Sequence, residues 1–75
     1  MNKNNKLVFE AEEMKKFVEL SGLRQSAISE KTGIPKVSLC LILQGKRKCE
    51  AGEYATLCKA LGVSMNKFLR SKALD

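Results

Sequence analysis

Positive side chains are concentrated between residues 24 and 48 of this 75-residue chain. Only one carboxylate, Glu30, lies in the same segment. The positive residues are Arg24, Lys31, Lys36, Lys46, Arg47 and Lys48. Because lysine and arginine bind anionic groups, this segment and the formal net charge of +6 favour a polyanionic partner. Residues 10–23 instead hold four glutamates against two lysines, so we expect one basic and one mildly acidic surface.

Candidate residues for catalysis or metal binding are few. The chain has no histidine, and its only aspartate is Asp75. The cysteines at positions 40, 49 and 58 form neither an even disulfide set nor a pair with zinc-ligand spacing. We therefore expect reduced thiols, no metal, no cofactor and no enzymatic activity.

The sequence also lacks the patterns of membrane and secreted proteins. No stretch approaches the roughly 18 apolar residues of a membrane span. The N-terminal sequence MNKNNK leads into a charged segment rather than into the apolar core of a signal peptide. We expect a cytoplasmic protein with no membrane partner.

Apolar periodicity and glycines predict the elements that would position the basic residues. The predicted helices are Glu10–Ser21, Gln25–Thr32, Pro35–Gln44, Ala51–Leu61 and Met65 to about Arg70. Gly22, Gly33, Gly45 and Gly62 are placed to end the first four, and Ser64 to cap the fifth. The predicted fold is all-α and five-helical, with one domain at 9–71, a flexible arm at 1–8 and a tail at 72–75.

Several short motifs fall at fixed positions in this pattern. They are Gly22-Leu23 with Gln25, Ile28, Glu30-Lys31, Gly33-Ile34, Leu39, Ile42, Gly45 to Lys48, and Leu57 with Lys59 to Ser64. With them the chain, from about Met14 to Leu69, resembles the Cro and phage lambda repressor family of small helix-turn-helix regulators. The resemblance implies a compact five-helix DNA-binding domain in which helices 2 and 3 form the helix-turn-helix. It also implies a transcriptional regulator, a repressor or Cro-like switch of phage or mobile-element origin, that binds a double-stranded operator as a homodimer. The two subunits are expected to pair either in solution or only on DNA.

The same resemblance assigns residues to two kinds of DNA contact. Those facing the bases are Lys36, Val37, Cys40 and Leu41. Those near backbone phosphates are Arg24, Gln25, Ser38, Gln44, Lys46, Arg47 and Lys48. Lys36 would donate to guanine, whereas Val37 and Leu41 would offer only apolar contact to thymine methyl groups.

Three departures from the family pattern bear on these assignments. Val18 and Leu43 stand where the family often has a buried arginine and glutamate pair, so we predict that the two side chains touch. Arg24 replaces the usual capping threonine, and with Ala27 three residues on, helix 2 lacks a capping box. The third departure is the apolar character of the outer face of helix 3.

That apolar face supports an alternative function. Val37, Cys40 and Leu41 adjoin one another and form a patch rather than scattered apolar residues. Such a patch would suit a protein-interaction module, for example an antirepressor that binds a larger regulator. The two functions could also coexist in one switch protein.

Overall fold

In the described part of the chain, four helices follow one another between two strands. The structure, a computed structural model, describes the backbone of residues 5–73 and the side chains of residues 7–71. The elements are β1 Asn5–Phe9, α1 Ala11–Ser21, α2 Gln25–Thr32, α3 Lys36–Leu43, α4 Ala51–Leu61 and β2 Leu69–Ala73. The predicted limits of the first four helices are confirmed to within about one residue at each end.

Glycine ends three of these helices at the expected places. Gly22, Gly33 and Gly62 each have a positive φ, between 71° and 78°, and their N–H groups donate to carbonyls of the preceding turn. Residues with a Cβ are strained in this left-handed conformation, so these positions favour glycine. The positions of these glycines in the sequence therefore predict where the three helices end.

The four helices enclose one hydrophobic core. α3 packs against both α1 and α2, and α2 also packs against α4. One face of α3 is fully buried. The buried residues are Met14, Val18, Ile28, Ile34, Leu39, Ile42, Leu43, Tyr54, Leu57, Cys58 and Phe68. Val18 and Leu43 both belong to this cluster, as expected if an apolar pair replaces an ion pair.

The five-helix all-α expectation is wrong at the chain ends. β1 and β2 form a two-stranded antiparallel sheet whose register runs from Asn5 opposite Ala73 to Phe9 opposite Leu69. Residues 65–68, predicted to begin a fifth helix, form a turn that leads into β2. Residues 5–8 of the predicted arm belong to β1, and residues 72–73 of the predicted tail belong to β2. The remaining parts of the arm and tail lie outside the described residues.

Phe68 explains why a fifth helix does not form. Its N–H donates to the Tyr54 hydroxyl at 3.2 Å, and its carbonyl accepts from the Glu10 N–H at 2.7 Å. Its ring is buried and packs edge-on against Phe17, with 5.7 Å between ring centroids. Because both backbone groups of Phe68 are committed to distant partners, they are not available for helical hydrogen bonds.

None of the helices in the described part of the chain has the length and apolar character needed to cross a lipid bilayer.

Candidate nucleic-acid interface

The turn between α2 and α3 is fixed by side-chain hydroxyls. Ser29 Oγ donates to the Ile34 carbonyl at 2.6 Å, and Thr32 Oγ1 accepts from the Ile34 N–H at 3.2 Å. The Gly33 N–H donates to the Ser29 carbonyl at 2.8 Å. These bonds hold the start of α3 against the end of α2, so the exposed face of α3 has a defined orientation. From the sequence, Ser29 was expected only to be a small residue that lets another helix approach. Its hydrogen bond was missed because the acceptor, the Ile34 carbonyl, lies beyond the end of α2.

α3 has a buried face and an outer, partly exposed face. Leu39, Ile42 and Leu43 are at most 2 % exposed. The outer face forms one side of a shallow depression, here called the α3 depression. Its lining residues are Gln25, Lys36, Val37, Cys40, Leu41 and Gln44. All four predicted base-facing residues thus lie together, between an amide side chain from α2 and another from the end of α3.

The α3 depression is mostly apolar, with polar groups at its margins. Val37 is 74 % exposed, whereas Cys40 and Leu41 are half-buried. The Gln44 Nε2 group donates to Cys40 Sγ at 3.2 Å, which places this amide beside the apolar surface. Lys36 is exposed at the first turn of α3. The depression therefore offers one flexible cation, two amides and apolar contact area.

The first turn of α2 is open to an anion. Arg24 is the N-cap residue, and its side chain makes no capping hydrogen bond. The expected absence of a capping box is confirmed. The first N–H groups of a helix have no partner within it, so an uncapped start next to Gln25 favours a negatively charged ligand.

Three N–H groups of the loop after α3 donate to carbonyls of α3. Lys46 and Arg47 both donate their N–H groups to the Leu41 carbonyl, at 2.9 and 3.3 Å, and the Gly45 N–H donates to Ile42. The N–H groups of Gly45, Lys46 and Arg47 are therefore not available to an anion, and Lys46 would bind one through its side chain. Lys46 and Lys48 are exposed.

Arg47 differs from its two lysine neighbours because it is paired. Its guanidinium donates to both carboxylate oxygens of Glu53 in α4, at 2.9 and 3.1 Å. These hydrogen bonds hold the pKa of Glu53 below its ordinary value and raise that of Arg47. Among the described residues, none of Lys36, Lys46 and Lys48 has a carboxylate within 4 Å. The free positive charge of the predicted set thus lies on Arg24 and on these lysines, whereas Arg47 serves mainly to fix the loop to α4.

The remaining predicted contact, Ser38, lies apart from the α3 depression. It is half-buried on α3 and is not among the residues that line that surface. Of the predicted phosphate set, only Gln25 and Gln44 line the α3 depression.

A second depression, here called the α1 depression, adjoins the first. It has a volume of about 620 Å³ and is lined by Ala11, Glu12, Lys15, Leu43, Gln44, Gly45 and Lys46. Gln44 lines both depressions, so they meet at that residue. Lys15 was not predicted as a site residue, because the sequence pattern of α1 identifies only its buried face.

All three cysteines lie in the part of the chain whose side chains are described. Cys40, Cys49 and Cys58 are free thiols, and no group of three or more potential metal ligands occurs in residues 7–71. Burial raises the pKa of the Cys49 thiol to about 11, so this sulfur is protonated and weakly nucleophilic at neutral pH.

Comparisons with protein-family models, with curated proteins and with solved structures give no match.

Proposed function

We propose that this protein is a sequence-specific, double-stranded-DNA-binding transcriptional regulator that places α3 in the major groove. The observation that carries the proposal is the α3 depression, which groups Lys36, Val37, Cys40 and Leu41 between the amides of Gln25 and Gln44. An α-helix with its side chains is about 10–12 Å across, and the major groove is about 12 Å wide. The helix therefore fits the groove, and its margins fall near the sugar-phosphate backbone.

Positive charge near the α3 depression also supports DNA as the ligand. Lys46 and Lys48 extend from the loop at the C-terminal end of α3, and Arg24 stands at the open N-terminus of α2. Arg24 adjoins Gln25 and Lys46 lies two residues after Gln44, so phosphates bound at these two places would lie beside the α3 depression. Lys36 would donate to guanine, and Val37 with Leu41 would contact thymine methyl groups.

The biological setting follows from the sequence resemblance. On this basis the proposed regulator is a repressor or Cro-like switch of phage or mobile-element origin that acts in the cytoplasm. Two copies would bind a pseudo-palindromic operator, with their α3 helices about one helical turn, roughly 34 Å, apart.

The test is a selection of bound duplexes from a random pool, followed by fluorescence titration of the enriched sequence at several salt concentrations. We expect a partly symmetric sequence and an affinity that falls with salt, with a log-log slope of about 0.9 per phosphate contact. No enrichment, together with no binding to any duplex at low salt, contradicts the proposal.

A second function is favoured by one observation, the 74 % exposure of Val37 beside half-buried Cys40 and Leu41. This patch suits a protein partner, such as a larger regulator whose DNA contact would be blocked. Leu41→Arg separates the two functions. It should abolish binding to a protein partner, because it puts a charge into an apolar interface. On random-sequence duplex at low salt it should leave or increase the affinity for DNA, because the added cation can bind phosphate, whereas the base preferred at the position that Leu41 faces should change.

A further inference from the structure

We infer that the α1 depression is a second site for a DNA backbone phosphate and that Lys15 is the residue that binds it. This inference rests on the proposed function and extends the DNA contact from the helix-turn-helix onto α1. The depression is lined by Lys15 of α1 and by Gln44 and Lys46 from the end of α3 and its loop. Two cations and an amide from separate parts of the chain thus face one space.

Charge pairing on α1 leaves Lys15 available. Lys16 Nζ lies 3.8 Å from a carboxylate oxygen of Glu12 and 3.8 Å from one of Glu13. Among the described residues, Lys15 has no carboxylate within 4 Å. Two carboxylates therefore balance part of the positive charge of Lys16, whereas no carboxylate in the described residues balances that of Lys15.

Glu12 is the one carboxylate that lines the α1 depression. It would repel a phosphate, but the nearby Lys16 offsets its charge. Both side chains are largely exposed, so this compensation is partial. Glu12 is therefore expected to weaken phosphate binding, which provides an independent test of the site.

The position of Gln44 connects this site to the bases. Its side chain lines both depressions, and its Nε2 group lies 3.2 Å from Cys40 Sγ on the outer face of α3. A strand whose bases face Cys40 would pass over Gln44 and reach Lys15 and Lys46. The N–H groups of Gly45 and Lys46 donate to carbonyls of α3, so these two residues can contact the phosphate only through the Lys46 side chain.

Two charge-matched pairs of variants test the inference on the selected duplex. Lys15→Gln is compared with Lys59→Gln, since Lys59 is also exposed but lines a different depression with Lys31 and Thr56. Each variant lowers the formal net charge of +6 by one, so long-range attraction to DNA changes equally. Lys15→Gln should raise Kd several-fold and reduce the log-log salt slope by about 0.9, and Lys59→Gln should leave the slope unchanged.

The second pair of variants tests whether the Glu12 carboxylate repels the phosphate. Glu12→Gln and Glu13→Gln remove the same charge and the same 3.8 Å approach to Lys16, but only Glu12 lines the depression. Glu12→Gln should lower Kd more than Glu13→Gln. Thermal melts of all four variants show whether each remains folded.

The outcomes separate this inference from the proposed function. If the parent protein binds DNA but Lys15→Gln matches Lys59→Gln, and Glu12→Gln matches Glu13→Gln, the α1 site is wrong and the proposed function stands. If the parent protein binds no duplex at low salt, the proposed function fails and the α1 site fails with it.

Discussion

The guanidinium of Arg47 donates hydrogen bonds to both carboxylate oxygens of Glu53, at 2.9 and 3.1 Å. Glu53 Oε1 also accepts from the Glu50 N–H at 3.1 Å, at the N-terminus of α4. One carboxylate therefore joins the basic loop to the first turn of α4. The loop that follows α3 is held in place by this pair rather than by hydrophobic packing alone.

Removing that carboxylate should destabilise the protein in a pH-dependent way. Because hydrogen bonding to Arg47 lowers the pKa of Glu53 in the folded state, its contribution is present above the ordinary value of 4.5 and is lost as pH falls through the folded-state pKa. Glu53→Gln should lower Tm at neutral pH, and the difference from the parent protein should shrink in acid. Glu30→Gln, an exposed carboxylate change on α2, is the control. A Tm difference that stays constant from neutral pH to well below pH 4.5 would argue against this pairing.

The Tyr54 hydroxyl should be essential to the sheet end of the fold. It donates to the Met65 carbonyl at 2.6 Å and accepts from the buried Phe68 N–H at 3.2 Å. Tyr54→Phe leaves that N–H without a partner, so we expect the free energy of unfolding to fall by about 1–3 kcal/mol. Thr56→Val removes an exposed hydroxyl of the same helix, which donates to the Gly52 carbonyl, and should cost less than about 0.5 kcal/mol. Equal costs in urea denaturation would mean that the Tyr54 hydroxyl has no special role.

Val18 and Leu43 should be energetically coupled. Both are at most 3 % exposed in the same core, on α1 and α3, which pack together. Leu43→Ala should cost about 2–5 kcal/mol, and Val18→Ala should cost less because fewer atoms are removed. In a double-mutant cycle, side chains in contact give a coupling energy of about 0.5–3 kcal/mol. Strict additivity of the two alanine variants would show that the side chains do not touch.

The Cys49 thiol should titrate far above the ordinary cysteine range. Burial is the main cause that raises its pKa from 9.0 to about 11, and the nearby Glu53 carboxylate adds to the effect. In a Cys40→Ser, Cys58→Ala variant, thiolate absorbance should show a midpoint near pH 11. A midpoint near 9.0 would mean that the sulfur is solvated in the folded protein.

Local signals in the sequence account for what could be predicted of the fold. The ends of α1, α2 and α4 were correct because Gly22, Gly33 and Gly62 stop each helix within a few residues. The sheet was missed because β1 and β2 lie at opposite ends of the chain, and their pairing leaves no local pattern. Ser64 suggested a helix cap, but the bonds that hold Phe68 come from Tyr54 and Glu10, which are distant in sequence.

For the candidate site, too, local sequence patterns predicted some features, and contacts between distant residues were missed. Residues on one helix face, such as Lys36, Val37 and Leu41, were grouped correctly because helical spacing fixes which side chains are neighbours. The pairing of Arg47 with Glu53 was not predicted, since Arg47 lies in a loop whose path depends on α4. Lys15 was missed because its proximity to Lys46 arises only when α1 packs beside the end of α3.

Amide chemical-shift mapping tests most directly whether the outer face of α3 binds DNA. Isotope-labelled protein would be titrated at low salt with the duplex obtained by selection. We predict that the largest shifts fall at Gln25, along residues 36–41 and in the loop at residues 44–48, with little change in the sheet. Shifts that are absent, or that concentrate in β1 and β2, would contradict the account.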